Sequence, residues 1–301
     1  LVRSNSDLAL LNGVPIERTI GALEDLPSLA AATQDVDVVY HTAAKVTDWG
    51  TLDAFRLVNV QGTQNVLEAA VRNQVRRFVY ISSAAVHGFG SRDMDEDSPQ
   101  PPVQFPYCQS KREAEALVTR YHQQNRIQAT VVRPGDLYGP GDRVVLVQLA
   151  GLLRSGWMAH IGGGDNLGAF TYVGNLADGL ILAGNVERAA GEVYVITDGI
   201  KLSWRIYFDK LTAALDFPQP RLSVSPGLAY GLAWTFESAY RVMGVQSRPP
   251  LTRYLVAHMS ADYHFSIAKA REDLAYEPCV GVDEGIQRAA EWYRGMVKRE
   301  L

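Results

Sequence analysis

The chain has 301 residues, enough to bury one large core or two joined ones without stapling, and its two cysteines, Cys108 and Cys279, share no metal-ligand spacing. A net charge of −4 with acids and bases interspersed argues against a nucleic-acid partner and points to small molecules. No apolar run reaches the roughly 18 residues a membrane span requires, and with no leader peptide in front of the two cysteines the expected compartment is the reducing cytoplasm.

Taken in order, the chain opens on "LVRS" from Leu1, which reads as the end of a strand with no initiator methionine, so an upstream segment is expected to be missing. Strand signals follow at Ile16–Ile20, Asp37–Ala43, Arg76–Ser83 and Ile127–Pro134, with helical spacing at Leu26–Thr33, Thr51–Arg72 and Tyr107–Gln124. Beyond Gly139 the pattern loosens into glycine-rich loops and separated helices, with one late strand in "GEVYVIT". The segment Pro226–Val245 carries Glu237 and Arg241 and reads as an amphipathic helix. Strand and helix in alternation require a parallel sheet covered on both faces, because each crossover lays its helix back on the sheet. The expected fold class is therefore α/β, a doubly wound parallel sheet, with a smaller, mostly helical cap over the ligand cleft.

Ligands of open α/β sheets bind where strands end, which singles out four places. In "VVYHTAA" the small residues Thr42, Ala43 and Ala44 let a flat ligand approach the backbone; tight helix packing explains them equally well. In "YISSAAVHG", Ser82 and Ser83 end a strand, and serines there also cap turns. In "PYCQSKREAEAL", Tyr107 and Lys111 are four apart, so a helix puts an ammonium near a phenol and favours its ionised form. In "VVRPGDLYGPGD", Pro134 ends the ladder and frees backbone groups from Gly135 to Leu137 for a ligand, or merely punctuates a loop. Each feature is weak alone. Together they form one ordered constellation around one cleft.

This order resembles the extended short-chain dehydrogenase/reductase (epimerase/dehydratase) superfamily across essentially the whole chain. Ser83 matches its catalytic serine, Tyr107 and Lys111 its Tyr-x-x-x-Lys signature, and Asn59 in "NVQGTQNVLEAA" the asparagine that completes the tetrad through a water and the lysine. "FTYVGNLADGLILA", "GEVYVITDG" and "VDEGIQRAAEWY" look most like the 3β-hydroxysteroid dehydrogenase branch. The resemblance implies a Rossmann-like domain over residues 1–140 and about 171–198, and a substrate-binding cap over 141–170 and 199–301. It also implies that a first strand and its glycine-rich phosphate turn, roughly 30 residues, precede Leu1. The fold is thus expected to be N-terminally truncated.

By the same likeness the chain interconverts a secondary alcohol and a ketone on an apolar, sterol-like or alkyl-ketoacid substrate by hydride transfer, with Tyr107 exchanging the proton, Ser83 holding the oxygen, and Lys111 lowering the phenol's pKa and binding the nicotinamide ribose. Arg3 and Ser4, at the end of the opening strand, suit the 2′-phosphate of NADP better than the 2′-hydroxyl of NAD, so NADP is favoured. Ala43, Ala44, Pro134 and Leu137 are further cofactor-contacting positions, and Trp49 faces the substrate or packs as a surface aromatic. No metal is expected. Two other readings remain: a nucleotide-sugar epimerase or dehydratase, and a catalytically silent NADP-binding regulator. Peripheral membrane contact and a homodimer are both left open, the first through the Pro226–Val245 helix.

Overall fold

Four short strands, Val38–His41, Arg77–Ile81, Gln128–Pro134 and Val193–Ile196, pair in that order in one all-parallel sheet. The structure, a computed structural model, describes residues 1–102, 104–143 and 145–300. Each strand is dense in valine, isoleucine or aromatic residues, as a sheet buried on both faces requires. The period of two sends Phe78, Tyr80, Ala129 and Val131 to one face, against Leu29, Leu67, Ala114 and Val118 from helices Leu26–Ala32, Gly62–Arg72 and Pro106–Gln123. Val79, Val132, Tyr194 and Ile196 turn to the other face, against helices Val173–Asn185 and Ala268–Leu274. The expected doubly wound, Rossmann-like arrangement is present, and part of the 199–301 segment packs on its second face.

A separate apolar cluster joins helices Trp204–Leu215 and Val282–Glu300 through Phe208, Leu211, Ile286 and Ala290. The helix Pro226–Val242 buries only the narrow stripe Ala229, Ala233 and Glu237, and leaves Leu228, Leu232, Trp234 and Val242 exposed. Among the described residues no helix is long and apolar enough to cross a membrane.

Two expectations need correction. Ile16–Ile20 is not a strand: it contributes a single parallel bridge, Ile20 to Val2, outside the four-stranded sheet. The stretch Thr51–Arg72 is not one α-helix either. Thr51 caps a short helix, Leu52–Phe55, by accepting from Ala54 N at 3.3 Å, and the chain then passes through a π-helical stretch, Arg56–Gln61, before resuming at Gly62.

Glycine 135 shows how closely the pieces approach. A Cβ built there would lie 1.9 Å from the Ala169 carbonyl oxygen, which is backbone and cannot swing away. Gly135→Ala is therefore expected to cost about 1–3 kcal/mol, the range for overpacking. Urea denaturation checks it, as a lowered midpoint at unchanged slope.

Candidate active site

Phe105 is extended and Pro106 occupies the first turn of Pro106–Gln123, where its missing N–H costs nothing. That start aims Tyr107 at the serine leaving Arg77–Ile81. The Ser83 hydroxyl lies close enough to the phenol to favour its ionised form. Burial pushes the phenol up to about 12, outweighing the lowering by Ser83, while Cys108 adds to the rise. Lys111 lies on the same helix face, and its Nζ donates to the Ile81 carbonyl at 2.6 Å from 4.5 Å over the Tyr80 ring. Burial brings its pKa down to about 7, against an upward pull from Glu115. In this structure the Lys111 ammonium is turned to Ile81 and Tyr80, and burial is the largest influence on the phenol's protonation.

Asn59 sits in the π-helical stretch, a geometry frequent at functional sites because it re-aims one side chain. Buried, it accepts from Lys45 N at 2.7 Å and donates to Lys45 O at 3.2 Å and Ser110 Oγ at 2.9 Å. Ser110 Oγ in turn donates to the Tyr107 carbonyl at 2.8 Å. Asn59 therefore bolts the loop after Val38–His41 to the helix carrying Tyr107 and Lys111. Ser110 was not singled out in the sequence, although it lies inside the "YCQSK" motif; its signal was a small hydroxyl on the buried face.

The remaining predicted positions divide. Arg3 and Ser4 line an open cleft of about 370 Å³ with Asn5, Ile20, Gly21, Ala22 and Asp25. Ala43 is exposed and Ala44 half-buried where the first sheet strand ends. Ser82 Oγ is buried without a hydrogen-bond partner among the described residues. An orphaned hydroxyl beside Ser83 and an open cleft at the arginine fit a polar dinucleotide. Pro134 ends its strand as expected, and Leu137 is exposed. The backbone after Pro134 is not free, however. Gly135 N donates to Thr171 Oγ1 at 3.2 Å and Asp136 N to Ala169 O at 2.6 Å, because Asp136–Tyr138 builds a second short parallel ladder with Phe170–Tyr172. Trp49 is half-buried, edge-on to Tyr240 at 6.5 Å and 4.9 Å from the Arg241 guanidinium, so it packs against the Pro226–Val242 helix.

Aromatic rings surround the Tyr107 side chain. Phe55 and Tyr254 meet it edge-on at 6.2 and 6.4 Å, and Phe105 and Phe89 pack on Tyr254 at 5.1 and 5.3 Å. Tyr263 lies 5.2 Å from Phe89. The arrangement offers a half-buried proton donor, a neighbouring hydroxyl and a wall of aromatic rings.

Known proteins resemble this chain over most of its length. The 3-beta hydroxysteroid dehydrogenase/isomerase family matches residues 6–222. The chain is 31% identical over 277 residues to a 2-alkyl-3-oxoalkanoate reductase of Stenotrophomonas maltophilia, covering 89% of this chain and 84% of that one. It is 31% identical over 273 residues to 3beta-hydroxysteroid-dehydrogenase/decarboxylase isoform 1 of Arabidopsis thaliana, covering 86% of this chain but 62% of that longer protein. The solved structure of gox2253 superimposes with a TM-score of 0.80 at 27% identity, covering 98% of this chain and 89% of that one. A match over most of the length, on a Rossmann-like sheet, shows that the chain belongs to the 3-beta hydroxysteroid dehydrogenase/isomerase family of NAD(P)-dependent CH–OH dehydrogenases and reductases.

Proposed function

We propose that the chain reduces a ketone on an apolar, alkyl-ketoacid-like or sterol-like molecule to a secondary alcohol, with NADP as the preferred cofactor and Ser83, Tyr107 and Lys111 at the reacting centre. The observation that carries the reading is the phenol of Tyr107, set beside Ser83 within a wall of aromatic rings. A phenol pushed up to about 12 is protonated at neutral pH, which suits donation to a ketone oxygen.

When bound, the cofactor supplies the hydride to the carbonyl carbon. Tyr107 gives its proton to the carbonyl oxygen as negative charge gathers there, and Ser83 holds that oxygen by its hydroxyl. Lys111, one turn along the helix, opposes the phenolate charge left behind, while Asn59 and Ser110 fix the helix against the Lys45 loop. Arg3, Ser4, Ala43, Ala44 and Ser82 are the residues that would hold the dinucleotide.

The cofactor part is tested by Arg3→Asp. Loss of a charge-assisted contact, about 1.5–3 kcal/mol, is expected to raise the KM for NADPH about tenfold or more while that for NADH changes little. Initial rates with both cofactors check it. An unchanged NADPH to NADH ratio removes Arg3 from cofactor selection.

A further inference from the structure

The loop leaving Val38–His41 makes a contact that the reaction as described does not use. Three residues beyond Lys45, the Asp48 carboxylate is 9% exposed and accepts from Arg248 Nε at 2.5 Å, Arg248 Nη2 at 2.6 Å and Thr252 Oγ1 at 2.6 Å. Thr252 also caps the helix Arg253–Met259, accepting from Leu255 N at 3.2 Å. A second buried carboxylate, Glu237, holds the same helix start from the other side, accepting from Arg253 N and Nε at 2.8 Å each. Next to Asp48, Trp49 packs on Tyr240 and Arg241. The Thr252 and Arg253 contacts meet at the first turn of one short helix.

That helix faces the site. Tyr254 and His258, four apart, share a face and meet Phe89 at 5.3 and 4.8 Å, and Tyr254 also meets Tyr107. Ion pairs of this kind contribute little net stability, since desolvating both charges offsets their attraction. What a bidentate arginine–carboxylate pair does supply is a fixed orientation.

We propose, resting on the reading of Tyr107 as the proton donor, that Asp48 is a positioning residue for the reaction: it latches the Arg253–Met259 helix to the Lys45 loop and thereby sets Tyr254 and His258 as the substrate-site wall opposite Tyr107. The latch joins two sides of one cleft. Asn59 holds the loop to the Tyr107 helix at Lys45, and Asp48 holds the same loop to the wall.

The experiment uses the full chain with NADPH and two ketone probes, rigid trans-1-decalone and flexible 2-nonanone, together with amide hydrogen exchange. Asp48→Asn is expected to raise the KM for the rigid ketone about tenfold, with a much smaller change in kcat, and to leave NADPH binding unaltered. Exchange over residues 253–259 is expected to quicken about tenfold while the Pro106–Gln123 helix keeps its protection. Arg248→Met should reproduce both effects, and the double variant should be no worse than either single one, because the two residues act as a unit. Unchanged exchange over 253–259 in Asp48→Asn overturns the proposal, as does a loss of NADPH binding in step with kcat, which marks a merely structural role. Full turnover by Tyr107→Phe overturns the active-site reading instead, and the exchange measurement tells the two failures apart.

Discussion

Tyr107→Phe is expected to lower kcat by about 10²–10⁴-fold, the usual worth of a positioned proton donor. The substitution is nearly pure in its effect. The ring keeps its edge contacts with Phe55 and Tyr254, so packing is retained, while the phenolic proton is lost. NADPH affinity should therefore stay close to that of the parent chain, and kcat and kcat/KM should fall together, as they do when an interaction specific to the transition state is removed. NADPH consumption against a ketone and fluorescence titration of NADPH measure the two sides. Full turnover in the variant would show that the oxygen receives its proton from elsewhere.

How much of this was legible in the sequence depended on whether the cause was local. The strands at Val38–His41, Arg77–Ile81, Gln128–Pro134 and Val193–Ile196 announced themselves by β-branched and aromatic runs, and the Tyr107 helix by its spacing. The tyrosine, lysine and serine could be read because a helix face and a strand end are local facts. The π-helical stretch at Arg56–Gln61 could not, since nothing in "RLVNVQ" separates it from an α-helix of the same composition. Ile16–Ile20 has strand-like residues, but a ladder depends on a neighbouring strand, and among the described residues it makes one bridge, to Val2. The N–H groups after Pro134 looked free because their partners, Ala169 and Thr171, lie more than thirty residues away. Asp48 and Arg248, two hundred residues apart, left no trace of their pairing for the same reason.

One long-range pair has a larger expected effect on stability than any other contact in the site. Arg133, an unremarked strand residue in "VVRP", donates from Nε and Nη2 to the Glu115 carboxylate at 3.0 and 2.7 Å, and both side chains are buried. Its Nη1 reaches the Glu96 carbonyl at 3.1 Å and His87 Nε2 at 3.0 Å. Burial first, and then Arg133, bring the His87 pKa down to about 4, so that ring is neutral at pH 7 and Nε2 accepts. Glu115 is one turn beyond Lys111 and Arg133 immediately precedes Pro134, so the pair ties the helix of the proton donor to the strand end beside it. Arg133→Met is expected to cost about 3–5 kcal/mol, because it strands a carboxylate in the interior. Urea denaturation should show the loss, and Arg133→Met combined with Glu115→Leu should recover most of it, since two apolar side chains leave no charge unpaired. Glu115 also raises the Lys111 pKa, so the recovered double variant should have an amine that deprotonates at lower pH than the parent's value of about 7. A single Arg133→Met variant as stable as the parent would mean that Glu115 finds another partner or takes up a proton, and that the bond between helix and strand is not what holds Tyr107 in place.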